Sequence, residues 1–133
     1  MPDWPGARLH CSSRLGGVSK PPFDSLNLGD HVGDDPVAVA RNRHLFAQAC
    51  GSPAVFLKQV HGVQVLEITP LTPHGCEADA CWTRAPQLVC TIMVADCLPV
   101  LFYSPSKRVV AAAHAGWRGL AQGVLEQTLQ NLN

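Results

Sequence analysis

The stretch RVVAAAHAGWRGL, residues 108–120, joins a predicted strand to a predicted helix through a glycine turn. The run of apolar residues before His114 is typical of a buried strand, and the two glycines that follow interrupt it. Beyond them, apolar residues recur at helical spacing, namely Leu120, Val124, Leu125 and Leu129. This spacing predicts a helix, so a strand end, a turn and a helix start coincide at residues 114–118.

A second apolar stretch, residues 87–103, lies immediately upstream and contains ADCLP at 95–99. Because Pro99 has no N–H to donate to a neighbouring strand, we expect a kink or a sheet edge beside Cys97. Functional residues are commonly placed where irregular segments of this kind adjoin rigid elements.

His61 also lies at a predicted break in regular structure. Residues 55–60 and 63–68 are apolar and rich in β-branched side chains. They predict two strands, or one bent strand, on either side of His61.

The N-terminal third is predicted to form a strand, a loop and a helix. Residues 8–13 are predicted as a short strand that leads into a glycine-rich loop at 14–23. An Asp cap before Pro36 predicts a helix start, and Gly51 predicts its end. The residues predicted to lie on the buried side of this helix are Leu45, Phe46 and Ala49.

The predicted order β, α, β, β, β, β, α favours an α+β fold with mixed β-sheets covered by helices, rather than a regular βαβ repeat. The length of 133 residues suits one domain, residues 1–133. Because the last predicted helix has no clear stop, we expect a chain truncated at its C-terminus, and hence an incomplete domain.

Composition excludes several classes of protein. Lys plus Arg equals Asp plus Glu at 10 each, so no charge excess draws the chain to nucleic acid or to anionic membranes. No apolar run approaches a membrane span, and the first residues do not resemble a secretory signal. We therefore expect a cytoplasmic protein with no nucleic acid or membrane partner.

The six cysteines are interpreted as reduced thiols because no signal peptide is apparent. They are Cys11, Cys50, Cys76, Cys81, Cys90 and Cys97. No CxxC pair occurs among them, so any metal ligands must come together from distant parts of the chain.

Two imidazoles and one thiolate, from His61, Cys97 and His114, are the candidate zinc ligands. Zinc accepts nitrogen and sulfur ligands, and three protein ligands leave its fourth position open. Their separations of 36 and 17 positions match no local zinc signature. Two alternatives therefore stay open: ordinary packed or surface residues, or a Cys97–His114 nucleophile and base that work without metal.

Five further residues are candidates for binding or positioning. Arg14, beside two glycines, could bind a phosphate or carboxylate, and Arg118 lies at a predicted helix N-terminus that favours anions. Trp117 could stack on a purine, although a core position is the commoner alternative. Asp79 and Asp96 are candidate acid/base groups or partners of the metal ligands. In an extended strand Asp96 would point away from its neighbouring cysteine, which disfavours direct ligation.

Five stretches, in this order, resemble the YfiH-like family, whose members are described as polyphenol oxidase or laccase-domain proteins and as purine nucleoside phosphorylases. They are SSRLGGVSKPPFDSLNLGDHVGDDP at 12–36, KQVHG at 58–62, ADA at 78–80, MVADCLPVLF at 93–102 and AAHAGWRGL at 112–120. The combination of ADCLP with HAGWRG makes the resemblance specific.

The resemblance implies that His61, Cys97 and His114 are metal ligands and that Arg14 acts in catalysis. It implies zinc-dependent phosphorolysis of adenosine, inosine and methylthioadenosine, with adenosine deaminase activity alongside. Purine nucleosides and phosphate would be the ligands, and self-association is open. The implied fold is the N-terminal part of an α/β/β/α layered architecture similar to the cytotoxic necrotizing factor toxins.

Two other functions remain open, a Cys–His hydrolase or amidase of the same fold and an inactive zinc-binding fragment. Family members are nearly twice as long as this chain, which leaves the second open for the chain alone. Multi-copper chemistry is disfavoured because the six histidines include no His-X-His pair. We expect no laccase activity.

Overall fold

The structure is a computed structural model, and it describes residues 4–133. These residues form two compact units. We call residues 9–54 the loop–helix unit, and residues 55–133 together with 4–8 the sheet unit. The prediction that residues 1–133 make up one incomplete domain stays a prediction.

The helix of the loop–helix unit, α1 (Pro36–Cys50), begins and ends as the sequence predicts. The Asp35 side chain accepts a hydrogen bond from the N–H of Val37 at 3.0 Å, which satisfies one of the unpaired donors of the first turn. Gly51 ends the helix in the left-handed conformation, with φ of 77°.

Two predictions for this unit are wrong in part. Residues 8–13 form no strand, because no neighbouring segment among residues 4–133 gives them a backbone ladder. The buried side of α1 includes Phe46 as predicted, but Leu45 is half-buried and Ala49 is exposed. Val39 and Asn42 complete the buried side instead, since residues three or four apart lie on one face of a helix.

Six strands and two helices follow α1 along the chain. In chain order they are β1 (Ala54–Val55), β2 (Val65–Glu67), β3 (Ala80–Thr83), β4 (Val89–Cys90), β5 (Leu98–Ser104), β6 (Val109–Ala115), α2 (Trp117–Gln122) and α3 (Val124–Leu132). Strands β2, β3, β6 and β5 form one sheet in that spatial order, and β1 pairs with β4 in a second. Strand β2 is parallel to β3, whereas β3–β6 and β6–β5 are antiparallel. The predicted α+β class with mixed sheets is therefore confirmed.

Helix α3 packs on the four-stranded sheet through small residues. Ala80, Ala113 and Ala115 are buried in one cluster with Val124 of α3, and their short side chains let the helix approach the strands closely. Phe102 of β5 packs against this cluster and against a second one nearer the C-terminus of α3. This packing fixes the C-terminal end of β6.

The predicted C-terminal helix is two helices. Gly123, with φ of 96° in the left-handed region, ends α2 and precedes α3. Because this break changes the phase of the helical pattern, Val124, Thr128 and Leu132 form the buried face. Leu129, one of the apolar residues at helical spacing, is 50% exposed.

The two strands predicted around His61 are shorter than expected and belong to different sheets, β1 and β2. The backbone between them bends at residues 61–62, and the N–H groups of residues 60–62 bond to a buried carboxylate instead of to a neighbouring strand. The expectation of a sheet edge at Pro99 is correct, because β5 is an outer strand of its sheet.

No helix within residues 4–133 is long and apolar enough to cross a membrane. All six cysteines lie in this described part of the chain and are free thiols, as predicted. The cytoplasmic location stays a prediction.

Candidate metal centre

Three chain segments bring His61, Cys97 and His114 together. Cys97 directly precedes β5, and His114 is the penultimate residue of β6. Because β5 and β6 are antiparallel and Pro99 pairs with His114, the start of one strand meets the end of the other. His61 reaches the same place from the bend between β1 and β2.

The three side chains are close enough to share one ion. One ligand atom from each lies within 4.8 Å of the others, and Cys97 Sγ is 4.0 Å from His61 Nε2. The rings of His61 and His114 meet edge to face, with centroids 4.9 Å apart. Among residues 4–133, this is the one group of His, Cys, Asp and Glu side chains arranged in this way.

Asp79 is the buried carboxylate that organises the centre. Its Oδ2 lies 2.8 Å from Nδ1 of His114, so Nδ1 is occupied and Nε2 is the ring nitrogen left for a ligand. The sequence identified Asp79 as a candidate partner of the metal ligands. Its second role, holding the backbone that carries His61, was not predicted.

The carboxylate of Asp79 accepts three backbone hydrogen bonds from residues 60–62. The N–H of His61 donates to Oδ2 at 2.9 Å, while those of Val60 and Gly62 donate to Oδ1 at 3.0 and 2.9 Å. Burial alone would raise the pKa of Asp79, but the bonds from His114 and from these N–H groups outweigh it and lower that pKa. The side chain is therefore a buried carboxylate anion.

His61 adopts a backbone conformation that is uncommon for a residue with a side chain. Its φ is 62°, in the left-handed region, where a Cβ crowds the backbone. Conformations of this kind persist when surrounding contacts determine them, and they cluster at functional sites. Here the three hydrogen bonds to Asp79 provide those contacts.

Gly116 has no side chain, and this leaves room beside it for the side chains of Cys97 and His61. A Cβ on this residue would lie 3.1 Å from Cys97 Sγ and 3.2 Å from His61 Cδ2. The local sequence marks Gly116 only as a strand breaker, because its contact partners are distant in the chain. Any side chain at this position would press on two of the three candidate ligands.

The thiol of Cys97 keeps its proton to a higher pH than an ordinary cysteine does, because its pKa is raised. Desolvation by neighbouring atoms, together with the negative charges of Asp96 and Asp79, raises its pKa. The Asp96 carboxylate accepts a hydrogen bond from Sγ at 3.7 Å. The expectation that Asp96 points away is wrong, because residues 95–97 form a bend rather than an extended strand.

Trp117 and Arg118 directly follow the centre, in the first turn of α2. The Trp117 side chain is 76% exposed, so the alternative of a core tryptophan is wrong. The Arg118 guanidinium carbon lies 5.3 Å from the centroid of the indole ring, a cation–π distance. The two side chains thus form an exposed aromatic and cationic pair beside the candidate ligands.

Arg14 belongs to the loop–helix unit. Its Nε and one terminal nitrogen donate to the backbone oxygen of Asp24 at 3.0 and 2.9 Å, and that nitrogen also lies 3.2 Å from Asp24 Oδ2. The Arg14 side chain is 70% exposed. The sequence did not predict the Asp24 contact, since nothing in the local pattern marks a partner ten residues away.

The donor set of the centre fits a metal ion. Two imidazoles and one thiol converge. The buried carboxylate of Asp79 orients the ring of His114 through Nδ1, and it also holds the backbone of His61. Ligating histidines almost always have a partner of this kind.

The fold and the site together define a class of α+β proteins with mixed sheets and a His–Cys–His centre that could bind a metal. The chain belongs to the family described as multi-copper polyphenol oxidoreductase laccase, whose model matches residues 8–133. The resemblance to YfiH-like proteins is confirmed.

Named relatives and solved structures agree with this assignment. A purine nucleoside phosphorylase of Pseudomonas aeruginosa is 53% identical, over 98% of this chain and 54% of its own length. The Escherichia coli purine nucleoside phosphorylase YfiH is 50% identical, over 97% of this chain and 55% of its own length. A crystal structure of a Neisseria meningitidis protein matches with a TM-score of 0.85 at 47% identity, covering 90% of this chain and 50% of that one. The chain thus spans about half the length of the curated relatives it matches.

Proposed function

We propose that this chain carries the metal centre of a zinc-dependent purine nucleoside phosphorylase that acts on adenosine, inosine and methylthioadenosine and also deaminates adenosine. The observation that carries the proposal is the convergence of His61, Cys97 and His114 on one point, with Asp79 behind them. The names of the relatives in Pseudomonas aeruginosa and Escherichia coli support the nucleoside chemistry.

His61, Cys97 and His114 would hold the metal. Zinc is the ion that a donor set of two imidazoles and one thiolate favours. When bound, it supplies a Lewis acid that polarises a substrate oxygen and lowers the pKa of water. Asp79 keeps Nδ1 of His114 occupied, so that the other ring nitrogen would be the one to bind the ion.

The remaining candidate residues would bind the two substrates. Phosphorolysis joins a phosphate oxygen to C1′ of the ribose while the C1′–N9 bond breaks, and the purine leaves with the electron pair and takes up a proton. Arg14 would bind phosphate through its planar set of donors. Trp117 would stack on the purine, and Arg118 would favour negative charge near it.

The test is incubation of the zinc-loaded chain with adenosine, with and without phosphate, while adenine, inosine and ribose 1-phosphate are resolved. We expect adenine and ribose 1-phosphate only when phosphate is present, and inosine in both cases. Arg14→Lys should raise the KM for phosphate roughly tenfold, since lysine cannot donate two parallel hydrogen bonds. Arg41→Lys, at an exposed position of α1, is the matched control.

The products separate the proposal from its alternatives. Equal release of adenine with and without phosphate would refute phosphorolysis. Zinc binding without any turnover would favour the inactive zinc-binding fragment. This alternative is specific to this chain because it spans about half the relatives' length. We also expect no laccase activity from the zinc-loaded chain, as the histidine pattern predicts.

A Cys–His hydrolase or amidase, with Cys97 as nucleophile and His114 as base, is the second candidate, and ligand atoms of the two side chains within 4.8 Å of each other support it. His61, with Nε2 at 4.0 Å from Cys97 Sγ, is a second imidazole near the same thiol. In that enzyme the thiol would pass its proton to the imidazole and attack an acyl carbon, the amine or alcohol would leave with that proton, and water would then release the acyl group from the sulfur. Alkylation of Cys97 would then abolish hydrolysis, and a chelator would have no effect. The opposite sensitivity to the chelator supports the zinc enzyme.

A further inference from the structure

Asn42 is a fully buried polar side chain on α1. Its Oδ1 accepts the N–H of Val18 at 2.8 Å. Its Nδ2 donates to Ser19 Oγ and to the backbone oxygen of Asn27, each at 2.8 Å. Asparagine in a helix interior is no better than neutral for helix stability, so these three bonds are the main physical effect of the amide.

The partners of Asn42 belong to the two segments that also hold Arg14. The backbone oxygen of Arg14 accepts the N–H groups of Ser25 and Leu26, both at 2.8 Å. Ser25 in turn accepts the N–H of Gly17 on its hydroxyl at 3.1 Å and that of Ser19 on its backbone oxygen at 2.9 Å. Segments 14–19 and 24–27 are therefore tied to each other, and Asn42 ties both of them to α1.

The loop packs directly on the Asn42 amide. A Cβ on Gly17 would lie 2.5 Å from Asn42 Oδ1 and closer still to the backbone oxygen of Ser25. Real Cβ atoms do not approach other atoms so closely, so only glycine allows the loop to lie against the helix here. The position of the Arg14 loop thus depends on a side chain 28 positions later in the sequence.

We propose that Asn42 is a positioning residue for Arg14. Asn42 holds segments 14–19 and 24–27 in place, so that Asp24 orients the Arg14 guanidinium for binding a phosphate. This inference rests on the proposed function, in which Arg14 binds phosphate. The guanidinium bonds of Arg14 to Asp24 complete the connection, because Asp24 lies in the segment that Asn42 anchors at Asn27. A bidentate anion site requires this kind of fixed geometry.

The test follows the Nε–H signal of Arg14 by NMR in the arginine-labelled full chain while inorganic phosphate is added. The Arg14→Lys protein, which lacks the signal, assigns it. We expect Asn42→Ala and Asn42→Asp to shift the signal before phosphate is added and to weaken phosphate binding roughly tenfold or more. The aspartate keeps the acceptor for Val18 but loses both donated bonds.

Two further variants separate positioning from general destabilisation. Gly17→Ala pushes the loop off both an intact Asn42 and the Ser25 backbone oxygen, so it should reproduce the shift and the weaker binding even if the Asn42 variants fail to fold. Thr128→Ala removes a different buried hydroxyl, which donates to the Val124 backbone oxygen at 2.7 Å in the sheet unit. It should lower stability without moving the Arg14 signal.

The outcomes distinguish this inference from the proposed function. A folded Asn42 or Gly17 variant with an unmoved Arg14 signal and phosphate affinity within twofold of the parent overturns the positioning role. A parent chain whose Arg14 signal ignores phosphate contradicts the proposed phosphate site instead. In that case the signal shift in the variants still decides whether Asn42 positions the loop.

Discussion

Oδ2 of Asp79 lies 2.8 Å from Nδ1 of His114 and accepts the N–H of His61 at 2.9 Å, so one buried oxygen contacts both candidate histidine ligands. This oxygen orients His114 through its ring and His61 through its backbone. A change at Asp79 should therefore disturb two ligands at once, although it touches neither ligating atom.

Asp79→Asn should weaken metal binding by roughly 10- to 100-fold. The amide is neutral and can accept on one atom only, whereas the carboxylate accepts four hydrogen bonds from His114 and residues 60–62. Competition with a chromogenic zinc chelator measures the affinity. Glu77→Gln, at an exposed position two residues earlier, is the matched control and should bind zinc as the parent does. Equal affinity in the Asp79 variant would show that the carboxylate does not orient the ligands.

Cys97→Ser should reduce the zinc content of the purified chain from about one ion per chain to well below half. A serine hydroxyl is a far weaker zinc ligand than a thiolate, and the two histidines alone hold the ion poorly. Metal analysis after dialysis measures the content. Cys11→Ser, at an exposed thiol of the loop–helix unit, is the control and should retain its zinc. Full zinc content in the Cys97 variant would remove this thiol from the proposed ligand set.

Local signals were sufficient to predict the elements that the sequence located correctly. The Asp cap, Pro36 and Gly51 act within a few residues of the ends of α1, and they predict those ends correctly. The apolar run to His114 predicts β6 for the same reason. The convergence of the candidate ligands followed from resemblance, because their spacing alone matches no zinc signature.

Long-range contacts explain what could not be predicted. The bend at His61 depends on Asp79, a residue 18 positions away that belongs to another segment. The segment at 8–13 has strand-like composition, but it lacks a backbone partner within residues 4–133. Gly123 falls within the run that the sequence predicts as one helix, and its left-handed conformation separates α2 from α3.

Val124→Ala should lower the free energy of unfolding by about 2 kcal/mol, from the lost burial of two methyl groups and the cavity they leave. Val124 is fully buried against the alanines of β3 and β6. Leu129→Ala, on the half-exposed side of α3, removes more carbon atoms but should cost less than about 1 kcal/mol. Urea denaturation followed by circular dichroism measures both, and the reverse ranking would contradict this packing of α3.

Asp34→Asn should remove a pH-dependent part of the stability of the loop–helix unit. Hydrogen bonds from Ser19 and Asn27 lower the pKa of Asp34 below its ordinary value of 3.8. A lowered pKa in the folded state gives stability that is present above pH 3.8 and is lost as the pH falls through the folded-state pKa. The parent should therefore be more stable than the variant at neutral pH. The difference in stability should shrink as the pH falls below 3.8.

Acid titration of both proteins, monitored by circular dichroism, checks the prediction for Asp34. Asp35→Asn is the control, because asparagine caps a helix as well as aspartate does. A stability difference between the parent and the Asp34 variant that stays constant down to pH 2 would mean that the Asp34 charge contributes nothing.

Gly116→Ala should weaken zinc binding by roughly tenfold or more while the chain stays folded. The φ of Gly116 is −73°, so alanine meets no backbone strain there, and the effect is one of space alone. The added methyl group would lie 3.1 Å from Cys97 Sγ, so the sulfur has to move away from the other ligands. Gly29→Ala is the matched control: its methyl group would lie 3.3 Å from the exposed ring of His31, which can turn aside, and at an ordinary contact distance of 3.5 Å from Asn27 Oδ1. Zinc affinity measured by chelator competition should fall for the first variant alone, and an unchanged affinity at Gly116 would place the ion away from Cys97 and His61.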